Sequence, residues 1–206
     1  MRLFVGLDIP EEIRARIGRF LDGVSGFAPE ARWVRLESLH VTLKFIGEKP
    51  AEIVTSLQNE LNTIRVSSFA VTFSDFGFFP TPRSPRVFWV GIQAAQELQL
   101  LATAIDEKTD SLGVPREDRA FSPHLTLARK SGASGAPKRQ DGDRPNKVFQ
   151  VLQQRLAALP KPEFGTMTAR EFFLYQSQLS RSGSRYTKLH SFAFASDAAS
   201  GGPEKL

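Results

Sequence analysis

His40-Val41-Thr42-Leu43-Lys44-Phe45-Ile46-Gly47 decides how this chain is read, because Phe121-Ser122-Pro123-His124-Leu125-Thr126-Leu127 repeats its core 84 positions later. Val, Thr, Phe and Ile suit a pleated surface, so both runs are expected as strands. In a strand, residues i and i+2 point to the same face. His40 and Thr42 therefore project side by side, as do His124 and Thr126, with Val41, Leu43, Leu125 and Leu127 packed behind.

Working outward, the two halves keep the same offset. Phe4 lies in the run Arg2-Leu3-Phe4-Val5 and Phe88 in Arg86-Val87-Phe88-Trp89-Val90, again 84 residues apart. Pro10-Glu11-Glu12 opens a helix with proline in its first turn and acids near its positive end. Its apolar positions Ile13, Ile17, Phe20, Leu21 and Val24 have helical spacing. Gln96 to Lys108 repeats that helix through Leu98, Leu101, Ala102 and Ile105. Ile53, Leu57, Leu61 and Ile64 are matched by Val148, Leu152, Leu156 and Leu159. The runs 69–73 and 171–175 are expected to close the two halves, with a last strand from Tyr186 to Phe194. An internal repeat of this kind predicts an α+β fold. Two pseudo-symmetric lobes, each a small antiparallel sheet backed by helices, would enclose a cleft. Residues 1–195 are expected as one bilobal domain. A Gly-, Ser- and charge-rich insertion at about 130–147 and a tail over 196–206 stand outside the repeat.

If the lobes face each other, two imidazoles and two hydroxyls share that cleft. One imidazole takes a proton from an attacking water and the other gives one to a departing sugar oxygen. Histidine suits both roles because its unperturbed pKa lies near 6.5. Threonine hydroxyls donate to the non-bridging oxygens where charge gathers. These are the parts of a phosphodiesterase that needs no cofactor. Zinc fits poorly, since two histidines from separate strands lack a third ligand and threonine is a weak one. The chain has three histidines and no cysteine, which excludes a disulfide framework and a thiolate nucleophile. His190, between apolar Leu189 and Phe192, is expected to be structural. With 41% hydrophobic and 24% charged residues the composition is ordinary for a globular protein. Too short an apolar run at the N-terminus for a signal peptide, and no run long enough to span a bilayer, suggest the cytoplasm. Lys and Arg outnumber Asp and Glu by 27 to 22, which fits a polyanionic partner such as RNA without requiring one.

Extended strings around the two motifs resemble the two-histidine (2H) phosphoesterases, and within them the RNA 2′,3′-cyclic phosphodiesterases once called 2′-5′ RNA ligases. They are Leu39-His40-Val41-Thr42-Leu43-Lys44-Phe45-Ile46-Gly47-Glu48, Phe78-Phe79-Pro80, Pro85 to Gly91, Phe121 to Arg129, and Gly183-Ser184-Arg185-Tyr186. The resemblance covers nearly the whole chain. It implies an enzyme that opens an RNA 2′,3′-cyclic phosphate end to a 2′-phosphate. His40 would then be the proton donor, His124 the proton acceptor, and Thr42 and Thr126 would hold the phosphate. The pseudo-symmetric pair alone does not say which histidine does which.

Arg129 stands where the family carries a basic residue able to clamp phosphate. Strict alternation puts it on the face opposite His124, so it joins the phosphate only if the strand ends or twists. Lys44, by the same alternation, shares the face of His40 and Thr42. Phe45, Trp33 and Tyr186 are candidates for stacking on a base or forming the rim. The expected partner is an RNA with a 2′,3′-cyclic phosphate end, bound by a monomer away from membranes. A small cyclic nucleotide as substrate, ATP-independent 2′-5′ ligation, and a non-catalytic RNA-binding module remain the alternatives.

Overall fold

The computed structural model describes residues 1–94, 96–130, 147–180 and 183–195. Most of the insertion and all of the tail expected above lie outside the described residues. In chain order the elements are β1 (Arg2–Asp8), α1 (Glu11–Val24), β2 (Ala31–Trp33), β3 (His40–Glu48), α2 (Ile53–Leu61) and β4 (Phe69–Phe79). There follow β5 (Val87–Ala94), α3 (Gln96–Asp110), β6 (His124–Lys130), α4 (Gln150–Leu156), β7 (Glu163–Ala169), β8 (Glu171–Ser180) and β9 (Gly183–Ala193).

The strands form two antiparallel sheets, ordered β3-β1-β8-β9 and β2-β6-β5-β4-β7. The α+β class and the paired sheets are as expected, but the halves exchange parts. β4, from the first half, pairs with β5 of the second, and β8 pairs with β1 of the first. Chain proximity explains it. Only residues 80–86 separate β4 from β5, so a hairpin forms there, and the free edge of β1 is left for β8.

The helices cross over as well. Phe20 of α1 packs edge-on against Phe164 of β7 at 5.4 Å and lies 6.5 Å from Phe88 of β5. In return α3 sits behind β3, beside α2, to which Lys108 and Glu60 join it at 3.4 Å. Residues of both sheets share one core, including Leu3, Val5 and Val41 from one and Phe88, Val90 and Leu125 from the other. Phe88 sits at its aromatic centre, with the rings of Phe78 and Trp33 5.0 and 6.0 Å away. Truncating it to alanine should cost about 3–5 kcal/mol.

Strand β7 was not expected from sequence. Glu163-Phe164-Gly165-Thr166-Met167-Thr168-Ala169 buries only Phe164 and Ala169 fully, as an edge strand can, and Gly165 (φ 118) interrupts its pattern.

Candidate active site

β3 and β6 lie side by side, so the two histidine motifs come together where the sheets meet. Each ring is held in the same way. His40 Nδ1 is 2.8 Å from the carbonyl of Ser38, and His124 Nδ1 is 2.8 Å from that of Ser122. A carbonyl only accepts, so each Nδ1 carries a proton and each Nε2 is the nitrogen free to exchange one. The signal was present in the sequence, because Ser38 and Ser122 are also 84 residues apart. The repeat is Ser-x-His-x-Thr.

A β-bulge then falls at the same place in both strands. In β3 the partners of Val5 and Gly6 are Lys44 and Thr42, which leaves Leu43 unpaired. In β6 the partners of Phe88 and Trp89 are Ala128 and Thr126, which leaves Leu127 unpaired. An extra residue resets the alternation of faces. Burial follows suit, since in both strands the half-buried histidine and threonine alternate with buried residues, Val41 and Leu43 in β3 and Leu125 and Leu127 in β6, and a second buried residue then follows at Lys44 and Ala128.

Three expectations turn on that bulge. Lys44 is not on the cleft face. It is turned inward, 2% exposed, with Nζ 2.5 Å from Asp106 Oδ1 and 2.6 Å from the Pro115 carbonyl. Phe45 takes the cleft-side position instead and is 49% exposed. Arg129, at the equivalent point of β6, returns to the cleft, where Nη2 donates to Thr126 Oγ1 at 3.3 Å. With that oxygen accepting from Arg129, the threonine's own proton is left to donate elsewhere.

Tyr186 reaches the site from β9, its ring 4.8 Å from His40 and 5.0 Å from Phe4. Trp33 does not. It pairs with core-facing Ala128, packs on Phe88 and donates its indole N–H to the Ala28 carbonyl at 3.1 Å. Its aromatic ring serves the core because β2 presents that face inward. His190 lies opposite Leu174 and against Phe192 at 4.7 Å, away from the motif pair.

The walls around the two imidazoles differ. His40 sits among Phe4 at 4.6 Å, Tyr186, and Tyr175 at 6.2 Å, while His124 sits against Phe79 at 5.0 Å and Trp89 at 6.5 Å. The Trp89 indole lies over Gly77, where any Cβ would fall 2.2 Å from the ring. Opposite His40 in the sheet is Asp8, and opposite His124 is Gly91. Asp8 was missed in the sequence because it ends an apolar run. Its carboxylate takes hydrogen bonds from Arg14 Nη2 at 2.9 Å and Lys188 Nζ at 2.5 Å.

Burial pushes the His40 pKa down to about 4, with Arg129 and His124 pushing the same way and the Ser38 carbonyl and Asp8 opposing. Burial also lowers that of His124, helped by Arg129 and opposed by the Ser122 carbonyl. That Arg129 and His124 act on His40 places all three in one electrostatic neighbourhood. These surroundings therefore favour the neutral form of both rings, beside a fixed positive charge. Among the described residues no group of three or more His, Cys, Asp or Glu side chains is placed to hold a metal ion. Nor is any helix among them long and apolar enough to cross a membrane.

The chain is similar to known proteins over most of its length. Residues 7–89 match the family model described as LigT like phosphoesterase, a span that includes His40 but not His124. The RNA 2′,3′-cyclic phosphodiesterase of Archaeoglobus fulgidus is 34% identical over 93% of this chain and 99% of its own length. That of Escherichia coli is 31% identical over 93% and 96%. Among solved structures, E. coli LigT complexed with 3′-AMP superposes with a TM-score of 0.72 at 33% identity, covering 94% of this chain and 97% of that one.

Proposed function

This chain belongs to the LigT-like phosphoesterases, together with the RNA 2′,3′-cyclic phosphodiesterases it matches end to end, and on that premise we propose the chemistry of its cleft. It is an RNA 2′,3′-cyclic phosphodiesterase, a hydrolase that opens the cyclic end to a phosphomonoester. The observation that carries the acid–base chemistry is the mirrored pair of Nδ1–carbonyl hydrogen bonds, which leaves one exchangeable Nε2 on each motif.

In the step proposed, water attacks phosphorus and gives its proton to His124 Nε2. The P–O3′ bond breaks in line, and His40 Nε2 protonates the departing 3′ oxygen. The product is a 2′-phosphate. Thr42 and Thr126 donate to the non-bridging oxygens, and Arg129 neutralises their charge.

A base must be neutral and an acid protonated. The surroundings of His124 already favour the neutral base, whereas His40 must gain a proton as substrate binds. Burial does most to hold both rings down, a bound phosphate anion offsets the Arg129 charge that adds to it, and Asp8 favours protonation at His40 alone. That one-sided carboxylate supports His40 as donor. Phe45 and Tyr186 supply aromatic surface at the rim for a base to stack on. Residues 1–195 work as one bilobal domain, a cytoplasmic monomer acting on RNA ends. The test is a short RNA ending in 2′,3′-cyclic phosphate. Quantitative conversion to the 2′-phosphate is expected, and recovery of intact substrate would refute the reading.

A further inference from the structure

Arg129 does not stand alone on its wall. Arg32 of β2 is its direct cross-strand partner, so the two guanidinium side chains leave the sheet on the same face. Trp33 and Ala128, the next pair along, point to the core, which fixes the arginine pair on the cleft side. Like charges directly opposite in a sheet repel. Burial lowers the Arg129 pKa, opposed by Tyr186, and the charge of Arg2 lowers it further, so a third arginine lies within electrostatic reach of this wall. Some cations elsewhere are matched with carboxylates, as in Arg14 with Asp8, Lys44 with Asp106 and Arg116 with Asp110. Among the described residues no carboxylate lies within ion-pair distance of Arg2, Arg32 or Arg129. A convergence of cations kept without a counter-charge is a site for an anion.

Only one anion is consumed by the reaction, and Thr42, Thr126 and Arg129 already answer it. Arg32 lies one strand further out, on the edge strand beside β6. An RNA that ends in a 2′,3′-cyclic phosphate continues in one direction only, through the 5′ phosphate of its last nucleotide. We infer that Arg32 forms a second phosphate subsite that binds the phosphodiester on the 5′ side of the terminal nucleotide, so that this enzyme selects oligonucleotide ends over cyclic mononucleotides. Arg32 touches neither the reacting phosphorus nor the histidines. It sets substrate preference and leaves the chemical step alone. The inference rests on the cyclic phosphodiesterase reading.

The experiment compares kcat/KM for a nucleoside 2′,3′-cyclic monophosphate and for a trinucleotide with the same end, in the unaltered protein, Arg32→Gln and Arg32→Lys. The unaltered protein should prefer the trinucleotide. Arg32→Gln should lose about three- to tenfold on the trinucleotide, mostly in KM, as expected for one partly solvated charged contact. On the mononucleotide it should match the unaltered protein, and Arg32→Lys should fall between. In parallel, fluorescence anisotropy measures binding of a labelled trinucleotide 2′-phosphate as salt is raised. There Arg32→Gln should reduce the slope of log affinity against log salt by about one. Equal losses on both substrates, or an unchanged trinucleotide rate and salt slope, would overturn the subsite. Absence of turnover on both substrates in the unaltered protein would strike the catalytic reading instead, and the salt slope would still decide the subsite.

Discussion

β3 and β6 are the same strand used twice, and their differences explain more than their likeness. Both carry Ser-x-His-x-Thr, both fix Nδ1 on a carbonyl, and both bulge one residue after the threonine. Beyond the bulge they part. β3 continues with buried Lys44 and exposed Phe45, β6 with buried Ala128 and cleft-facing Arg129. Across the sheet His40 faces Asp8 and His124 faces Gly91. The shared positions supply two equivalent acid–base groups. The divergent ones make one wall aromatic with a carboxylate, the other cationic, and so give a symmetric pair a direction.

Removing either shared group should have the largest effect. His40→Ala and His124→Ala should each lower kcat by about 10² to 10⁴, with circular dichroism and melting temperature little changed. Near-normal turnover in either folded variant would break the comparison at its base.

The next effect belongs to the cationic wall. Arg129→Gln removes a charge-assisted contact to phosphate, about 1.5–3 kcal/mol of transition-state stabilisation, and it should also move the pH profile. Burial does most to hold both imidazoles down and Arg129 adds to it, so its loss raises both pKa values. The acid limb, where His124 must stay neutral, then shifts to higher pH. An unshifted limb would mean that Arg129 does not share the site with the histidines.

Lys44→Ala makes β3 like β6 at this position, but it strands Asp106 beside Glu117 without their cation. A loss of about 3 kcal/mol in denaturant unfolding is expected, with kcat for the folded enzyme nearly unchanged. A reversed result, stable but inactive, would return Lys44 to the chemistry.

The smallest effect should be the most selective. Asp8→Asn removes the carboxylate that favours protonated His40 and leaves His124 without change, since Asp8 does not act on it. The alkaline limb, where His40 must stay protonated, should move to lower pH by less than about one unit, on apparent values that belong to the coupled pair. A shift of the acid limb instead would exchange the two roles.

The sequence carried the repeat, the strand character of both motifs and the shared face of each histidine with its threonine, because these depend only on local pattern and spacing. It did not carry the bulge, which is a property of register between two strands. For that reason alternation put Lys44 in the cleft and Arg129 on the opposite face, and one unpaired leucine in each strand reversed both. Nor could it tell which sheet β4 and β8 join, since either edge would bury the same apolar faces, and only the short link to β5 favours the hairpin. Asp8 gained its meaning from a cross-strand neighbour that lies 32 residues away in the chain. Trp33 read equally well as rim or core until the pairing of β2 fixed its face.

The direction of proton transfer can be tested apart from everything else by changing the leaving atom. In a 2′,3′-cyclic phosphate whose bridging 3′ oxygen is replaced by sulfur, the departing thiolate needs no proton, while the attacking water still needs a base. Single-turnover rates on this analogue should show His40→Ala restored to near the unaltered enzyme, with His124→Ala as impaired as on the oxygen substrate. Restoration of His124→Ala in place of His40→Ala would contradict the assignment of donor and acceptor.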